Sequence, residues 1–146
     1  MENAKTANNL TGTRFAFIGS GVMAESMIAG LLREEIVSHE QIVASHPRAN
    51  RRDELAERYK IQAFERNADA VRLVREAESS IVVLSIKPQR LSNVLRDLEG
   101  ILTDEQLLIS IVAGATIETL SAALGTKRIV RAMPNTPAQV GHGITA

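Results

Sequence analysis

The 146-residue chain has no cysteine, which excludes a disulfide framework and any thiolate metal site. It has no excess of either charge: 17 basic and 17 acidic side chains leave a formal net charge of zero, so no global field draws it to nucleic acid or an acidic membrane surface. An anionic ligand must be held by local geometry. No apolar run approaches the roughly 20 residues of a membrane span, and the polar opening, Met1 to Gly12, lacks the apolar centre of a signal peptide. These absences lead to the expectation of a soluble cytoplasmic protein. Residues 1–13 read as a flexible, tag-like start and residues 14–146 as one domain, for which 45% hydrophobic content supplies a core.

What is present is organised around Arg14-Phe15-Ala16-Phe17-Ile18-Gly19-Ser20-Gly21-Val22-Met23-Ala24. An apolar run rich in Phe and Ile precedes Gly19, as in a buried parallel strand. From Val22 onward a helical pattern puts Met27, Ile28, Leu31 and Leu32 on one side. Strand, tight turn and helix are the context in which G-x-G-x-x-A binds a dinucleotide. Gly19 lets the chain turn sharply, Gly21 removes a Cβ that would meet a pyrophosphate, and Ala24 lets the helix lie close to the strand. The unpaired N–H groups at the helix start then favour a negative charge by roughly 0.3–1 kcal/mol at an exposed site.

Strand and helix patterns alternate along the rest of the chain, which predicts an α/β fold with a Rossmann-type, doubly wound, mainly parallel six-stranded sheet covered by helices on both faces. Gln41–Ser45 reads as the second strand. A charged helix over Arg51–Tyr59 turns Leu55 and Ala56 inward, and Ile61–Phe64 reads as a third strand near an edge. Asn67 suits the N-cap of a helix through Ala68, Val71, Leu73 and Val74. A fourth strand runs over Glu78–Ile86 and stops at Lys87-Pro88-Gln89, because proline cannot continue a central strand. Lys87 is thereby placed at the carboxyl end of the sheet, where open α/β folds bind ligands.

Arg90–Leu98 is helical with Leu91, Val94, Leu95 and Leu98 on one stripe, and Thr103–Gln106 has capping-box spacing just before a strand over Leu107–Val112. After the small residues Ala113-Gly114-Ala115, Thr116 caps a helix that turns Ile117, Leu120 and Leu124 inward and ends at Gly125. The last strand is Arg128–Ala132, and Met133–Gly143 is too rich in Pro and Gly for a regular element.

One further absence bears on the ligand. Roughly 20 residues beyond the glycines, an NAD-binding protein of this type places an acid on the ribose 2′-hydroxyl. Here the second strand ends in Ser45-His46-Pro47-Arg48-Ala49-Asn50-Arg51-Arg52, with three arginines and no carboxylate before Asp53. That suits a 2′-phosphate, because an arginine grips phosphate through charge-assisted hydrogen bonds worth roughly 1.5–3 kcal/mol each. Arg48 is the first candidate; for Arg51 and Arg52 a solvated helix start is an equal alternative. The expected cofactor is NADP(H) in preference to NAD(H).

Taken together, Ile18–Ala24, Ala44-Ser45-His46-Pro47, Lys87-Pro88-Gln89, Ser110–Thr116 and Arg131-Ala132-Met133-Pro134-Asn135-Thr136-Pro137 closely resemble the N-terminal half of the pyrroline-5-carboxylate reductases, the last enzymes of proline biosynthesis. The glycine motif is shared by many reductases, whereas K-P-Q, A-G-A-T and R-x-M-P-N-T-P in combination are specific to few families. The resemblance implies that Ile18, Gly19, Ser20, Gly21, Val22 and Met23 hold the pyrophosphate, that Ser45, His46 and Arg48 surround the 2′-phosphate, and that Asn67 reaches the adenosine side. It further implies that Ser85, Ile86, Lys87 and Pro88, with Ile111, Val112 and Ala113, line the nicotinamide.

Members of that family continue into a helical domain that forms the dimer and completes the pocket. This segment is therefore expected to bind cofactor but to turn over poorly alone, since hydride transfer needs both reactants held together. The implied reaction is hydride addition to the C=N bond of 1-pyrroline-5-carboxylate. No residue stands out as a catalytic acid, since His39, His46 and His142 all fall in loops or turns. The alternatives are a β-hydroxyacid dehydrogenase-like NADP reductase, against which Met-Pro-Asn-Thr-Pro argues, and a non-catalytic NADP-binding module acting with a partner chain.

Overall fold

A computed structural model of the chain describes residues 10–135 and 145–146. The expectations for residues 1–9, for the loop over 136–144 and for His142 lie outside the described residues. Among the described residues, six strands form one sheet: β1 (Thr13–Ile18), β2 (Ile42–Ser45), β3 (Gln62–Phe64), β4 (Ser79–Leu84), β5 (Leu107–Ser110) and β6 (Ile129–Arg131). Their order is β3-β2-β1-β4-β5-β6, and every pairing is parallel. This is the Rossmann-type arrangement expected from the alternating sequence pattern, with β3 at one edge as its short, weakly apolar sequence predicts.

Five α-helices among the described residues cover the sheet: α1 (Val22–Arg33), α2 (Ala49–Tyr59), α3 (Asn67–Arg75), α4 (Leu91–Leu98) and α5 (Ile117–Leu124). Side chains alternate across a strand, so β1 sends Phe15 and Phe17 to one face and Ala16 and Ile18 to the other. The first pair packs with Ile28 of α1 and Leu55 of α2. The second packs with Val71, Leu95 and Leu120 from α3, α4 and α5. The crossover after β3 carries the chain from the first face to the second, and reverses the direction of winding between β1 and β4. A crevice forms at the carboxyl ends of strands flanking such a reversal.

The register makes those carboxyl ends a level rim. Phe64, Ser45, Ile18, Leu84, Ser110 and Arg131 are successive partners across the sheet, each the last residue of its strand. β4 and β5 are therefore shorter than their apolar runs suggest. Ile111 still donates its N–H to Leu84 O at 3.0 Å, but the chain turns away after Ser110.

Four local expectations are corrected. Ala56 is exposed, because one residue on from buried Leu55 the helix has rotated toward solvent. Ile117, the first residue of α5, is 45% exposed, and only Leu120 and Leu124 face inward. Asn67 begins α3 rather than capping it, with Arg66 in the cap position. At Thr103–Gln106 half a capping box forms without a helix: Gln106 Oε1 accepts Thr103 N–H at 3.1 Å, while the Thr103 hydroxyl is buried without a partner. The complete capping box belongs instead to the 3-10 turn His39–Gln41, between Ser38 and Gln41. Gln41 also donates to Leu10 O and Thr13 O, tying the turn before β1 to the one before β2.

Candidate functional site

The rim gathers the loops that carry the expected site residues. At the switch point β1 enters its turn at Gly19, whose φ of +80° is left-handed. Steric crowding adds a second reason for glycine. A Cβ at this position would lie 2.2 Å from Ile86 Cγ2 and 3.1 Å from Ile86 Cα, so the turn after β1 and the loop after β4 fit only with hydrogen there. Gly21, the N-cap of α1, differs: its φ is −81°, and a Cβ would meet no atom within 4 Å. Conformation does not demand glycine at 21, so the open space above it is what a side chain would take away.

The turn is braced from beneath. Ser20 is fully buried, and both its N–H and its hydroxyl bond to Ser45 O at 3.2 Å. Ser85 donates its N–H to Ile18 O at 2.9 Å, and its hydroxyl to Ile18 O at 3.0 Å and Gly19 O at 3.2 Å. Ile18 is buried in the sheet. Of the expected diphosphate-binding residues, Ser20 thus has both polar groups committed within the fold. Val22, Met23 and Ala24, as the first turn of α1, have N–H groups with no intrahelical acceptor. Val22 is 62% exposed at that end.

After β2, Ser45 is buried and donates its hydroxyl to Asn67 Oδ1 at 2.8 Å, linking the second and third loops. His46 is half-buried rather than solvated. Its N–H bonds to Phe64 O, and its Nδ1 accepts Arg48 N–H at 3.1 Å, which leaves Nε2 as the protonated nitrogen of the neutral ring. Burial holds its pKa below the usual 6.5, and the neighbouring charges of Arg48, Arg51 and Arg52 push the same way. Arg48 caps α2 by position with its side chain exposed at the rim.

Arg51 and Arg52 are not the solvated residues that a charged helix start suggests. Arg52 Nη1 clamps the turn through His46 O and Pro47 O, both at 2.8 Å. Arg51, 16% exposed, reaches across to the glycine turn and bonds Ser20 O and Glu25.

A cavity of about 680 Å³ opens beside this turn, between the start of α3 and α4. The expected residues Gly19, Asn67 and Ile86 line it, as do Pro47, Arg66, Arg90, Asn93 and Asp97, which the sequence reading missed. For Pro47, Arg66 and Arg90 the available signal was positional, since they stand in the connections after β2, β3 and β4, whereas Asn93 and Asp97 lie within α4 and carried no such signal. Lys87, Pro88 and Ala113 are exposed at the same end, Ile111 is half-buried and Val112 is buried. A parallel sheet with a glycine turn at its reversal, free helix N–H groups and a basic turn one strand away defines a dinucleotide-binding α/β domain.

Comparison with known proteins makes this particular. Residues 14–114 match the family model described as NADP oxidoreductase, coenzyme F420-dependent, and the chain belongs to that family. It is 46% identical to the pyrroline-5-carboxylate reductase of Pseudomonas aeruginosa over 131 residues, which is 89% of this chain and 46% of that protein. Among solved structures it resembles the pyrroline-5-carboxylate reductase of Coxiella burnetii, with TM-score 0.82 and 32% identity, over 92% of this chain and 48% of the other. It also resembles the Plasmodium falciparum pyrroline carboxylate reductase with NADP bound, with TM-score 0.73 and 27% identity, over 90% and 46% of the two chains. The resemblance carried by K-P-Q, A-G-A-T and R-x-M-P-N-T-P is thus borne out, and the chain spans about half the length of the curated relatives it matches.

Proposed function

We propose that this chain is the NADP(H)-binding part of a reductase that acts on 1-pyrroline-5-carboxylate, forming L-proline in proline biosynthesis. The reading rests above all on one observation: the glycine turn, the basic turn after β2 and the loops after β4 and β5 stand along a single rim at the β1/β4 reversal. The similarity to named reductases over about nine-tenths of the chain supplies the substrate class. NADPH, when bound, supplies a hydride. The imine carbon receives it while the ring nitrogen takes up a proton, leaving a secondary amine.

The chain's own part is to bind and orient. The N–H groups of Val22 and Met23 stand in the first turn of α1 beside the open space at Gly21, an arrangement that suits a diphosphate. Arg48 and His46 offer donors for a 2′-phosphate, and Ser45 acts through Asn67 rather than directly, since its hydroxyl is already donated there. Asn67 lines the cavity on what is then the adenosine side. Ile86 lines the same cavity as Asn67 beside the glycine turn, while Lys87 and Pro88, with Ile111 to Ala113, follow β4 and β5 on the other side of β1 from β2, where the nicotinamide belongs; Ser85 supports that wall by holding Ile18 O and Gly19 O. The reacting imine needs a second wall, so the family's homo-oligomeric arrangement and a cytoplasmic setting form part of the reading.

Titrating NADPH and NADH against the chain, with reduced-nicotinamide fluorescence as the signal, tests it. NADPH is expected to bind more tightly. Arg48→Ala is expected to weaken NADPH by about 10- to 100-fold, as for the loss of one or more charge-assisted bonds, while leaving NADH nearly unchanged. Equal affinities that do not respond to Arg48→Ala would remove the NADP preference. Binding by the chain and reduction of a hydroxyacid's keto partner by a full-length version, in place of the pyrroline, would favour the β-hydroxyacid dehydrogenase alternative.

A further inference from the structure

Arg51 was open at the sequence level between a phosphate ligand and a solvated residue, and it is neither. Its guanidinium lies between α1 and α2, and almost every donor is engaged. Nε donates to Ser20 O at 3.0 Å, Nη2 makes a longer contact with Gly21 O at 3.5 Å and a short bond to Glu25 Oε2, and Nη1 meets Glu54 Oε2 at 3.1 Å. Glu25 stands in the first turn of α1, where an uncompensated carboxylate would repel a bound diphosphate. Its second oxygen accepts Arg58 Nη1 at 2.8 Å and the Tyr59 hydroxyl at 2.7 Å. Burial opposes ionisation of Glu25, yet the bonds from Arg51, Tyr59 and Arg58 outweigh it and hold the group below the usual carboxylate value.

We propose that Arg51 is a positioning residue for the diphosphate site: it holds the Ser20 and Gly21 carbonyls on the α2 side of the glycine turn, so that the closed turn leaves the N–H of Val22 to the ligand. Arg51 and Arg58 at the same time match the charges of Glu25 and Glu54. A peptide unit presents its carbonyl and its N–H in opposite directions, so the carbonyls of residues 20 and 21 set the N–H groups of Gly21 and Val22: the first is donated to Gly19 O at 2.9 Å and closes the turn, and the second, whose partner carbonyl also accepts Glu25 N–H at 3.0 Å, is left for a ligand. Lysine cannot reproduce this, since a single ammonium cannot span two carbonyls and two carboxylates as the planar fork does. This inference rests on the cofactor reading above, and it assigns Arg51 to the diphosphate rather than to the 2′-phosphate.

The test compares NADPH, NADH and adenosine 2′-monophosphate, which carries the 2′-phosphate but no diphosphate, on the unaltered chain, Arg51→Ala and Arg51→Lys. Calorimetric titration gives the affinities and circular dichroism the folded fraction. Both substitutions are expected to weaken NADPH and NADH by the same factor, roughly tenfold because the diphosphate donor is loosened rather than removed, and to leave adenosine 2′-monophosphate unchanged. Loss confined to NADPH and the monophosphate would make Arg51 a 2′-phosphate ligand and overturn the inference. So would full recovery in Arg51→Lys, which would reduce its role to charge. If Arg51→Ala does not fold, Arg51→Lys decides alone, and unaltered binding of both dinucleotides by that variant refutes the proposal. Failure of the unaltered chain to bind either dinucleotide sinks the cofactor reading itself, a different result from binding that ignores Arg51.

Discussion

Gly19 and Gly21 are two residues apart in one turn, and replacing each with alanine is expected to damage different properties. At Gly19 the methyl group meets Ile86 Cγ2 at 2.2 Å and Ile86 Cα at 3.1 Å, and the backbone is left-handed. The left-handed conformation costs about 1–2 kcal/mol for an L-residue, and overpacking into the loop after β4 about 1–3 kcal/mol more. Gly19→Ala should therefore lose roughly 2–5 kcal/mol in urea unfolding followed by far-UV circular dichroism. At Gly21 neither cost applies, and the weaker N-cap propensity of alanine costs under about 1 kcal/mol. Gly21→Ala should stay folded yet bind NADPH at least tenfold more weakly, because its methyl fills space assigned to the diphosphate. The steric share can be isolated with Ile86→Leu, a volume-conserving change that removes the β-branched methyl. In the Gly19→Ala background it should recover about 1 kcal/mol or more, while the left-handed backbone keeps its cost. Equal stability of the two alanine variants, or a Gly21→Ala that binds NADPH normally, would refute this division of labour.

Two further expectations concern pH. His46 has its pKa lowered from 6.5 by burial and by Arg48, Arg51 and Arg52. A 2′-phosphate opposite it would favour the protonated ring, so NADPH binding should take up a proton. The affinity advantage of NADPH over NADH should grow as pH falls from mildly alkaline values toward 6.5, and His46→Gln should flatten that trend in parallel titrations. Glu25 has its pKa lowered from 4.5. It therefore adds stability that is fully present above that value and is lost as pH falls through its depressed folded value. Glu25→Gln should be less stable than the unaltered chain at neutral pH in urea unfolding, and the gap should narrow in acid; a gap independent of pH would show that the ionised form contributes nothing.

The strand-turn-helix at Gly19 was legible because period and turn chemistry are local: an apolar run, two glycines and a 3.6-residue stripe specify it without reference to the rest of the chain. The same holds for Thr116, whose hydroxyl accepts Thr119 N–H at 3.1 Å, and for the alternation that gave six strands. The lack of an acid after β2 was equally visible, and it pointed to the phosphorylated cofactor. Arg51, Arg52, Ser45 and Asn67 were not legible in the same way. A charged residue at a helix start reads as solvated, and an asparagine before a helix reads as its cap. Which of them turns inward depends on which helix lies alongside, and sequence spacing carries no record of that. Folding brings α2 against α1, so that Arg51 finds the carbonyls of a turn 30 residues earlier, and sets β2 beside β3, so that Ser45 takes Asn67. The sequence by itself determined the elements and the residue types at the rim; the packing of one element against another decided which polar groups hold the turn in shape and which remain open to a ligand.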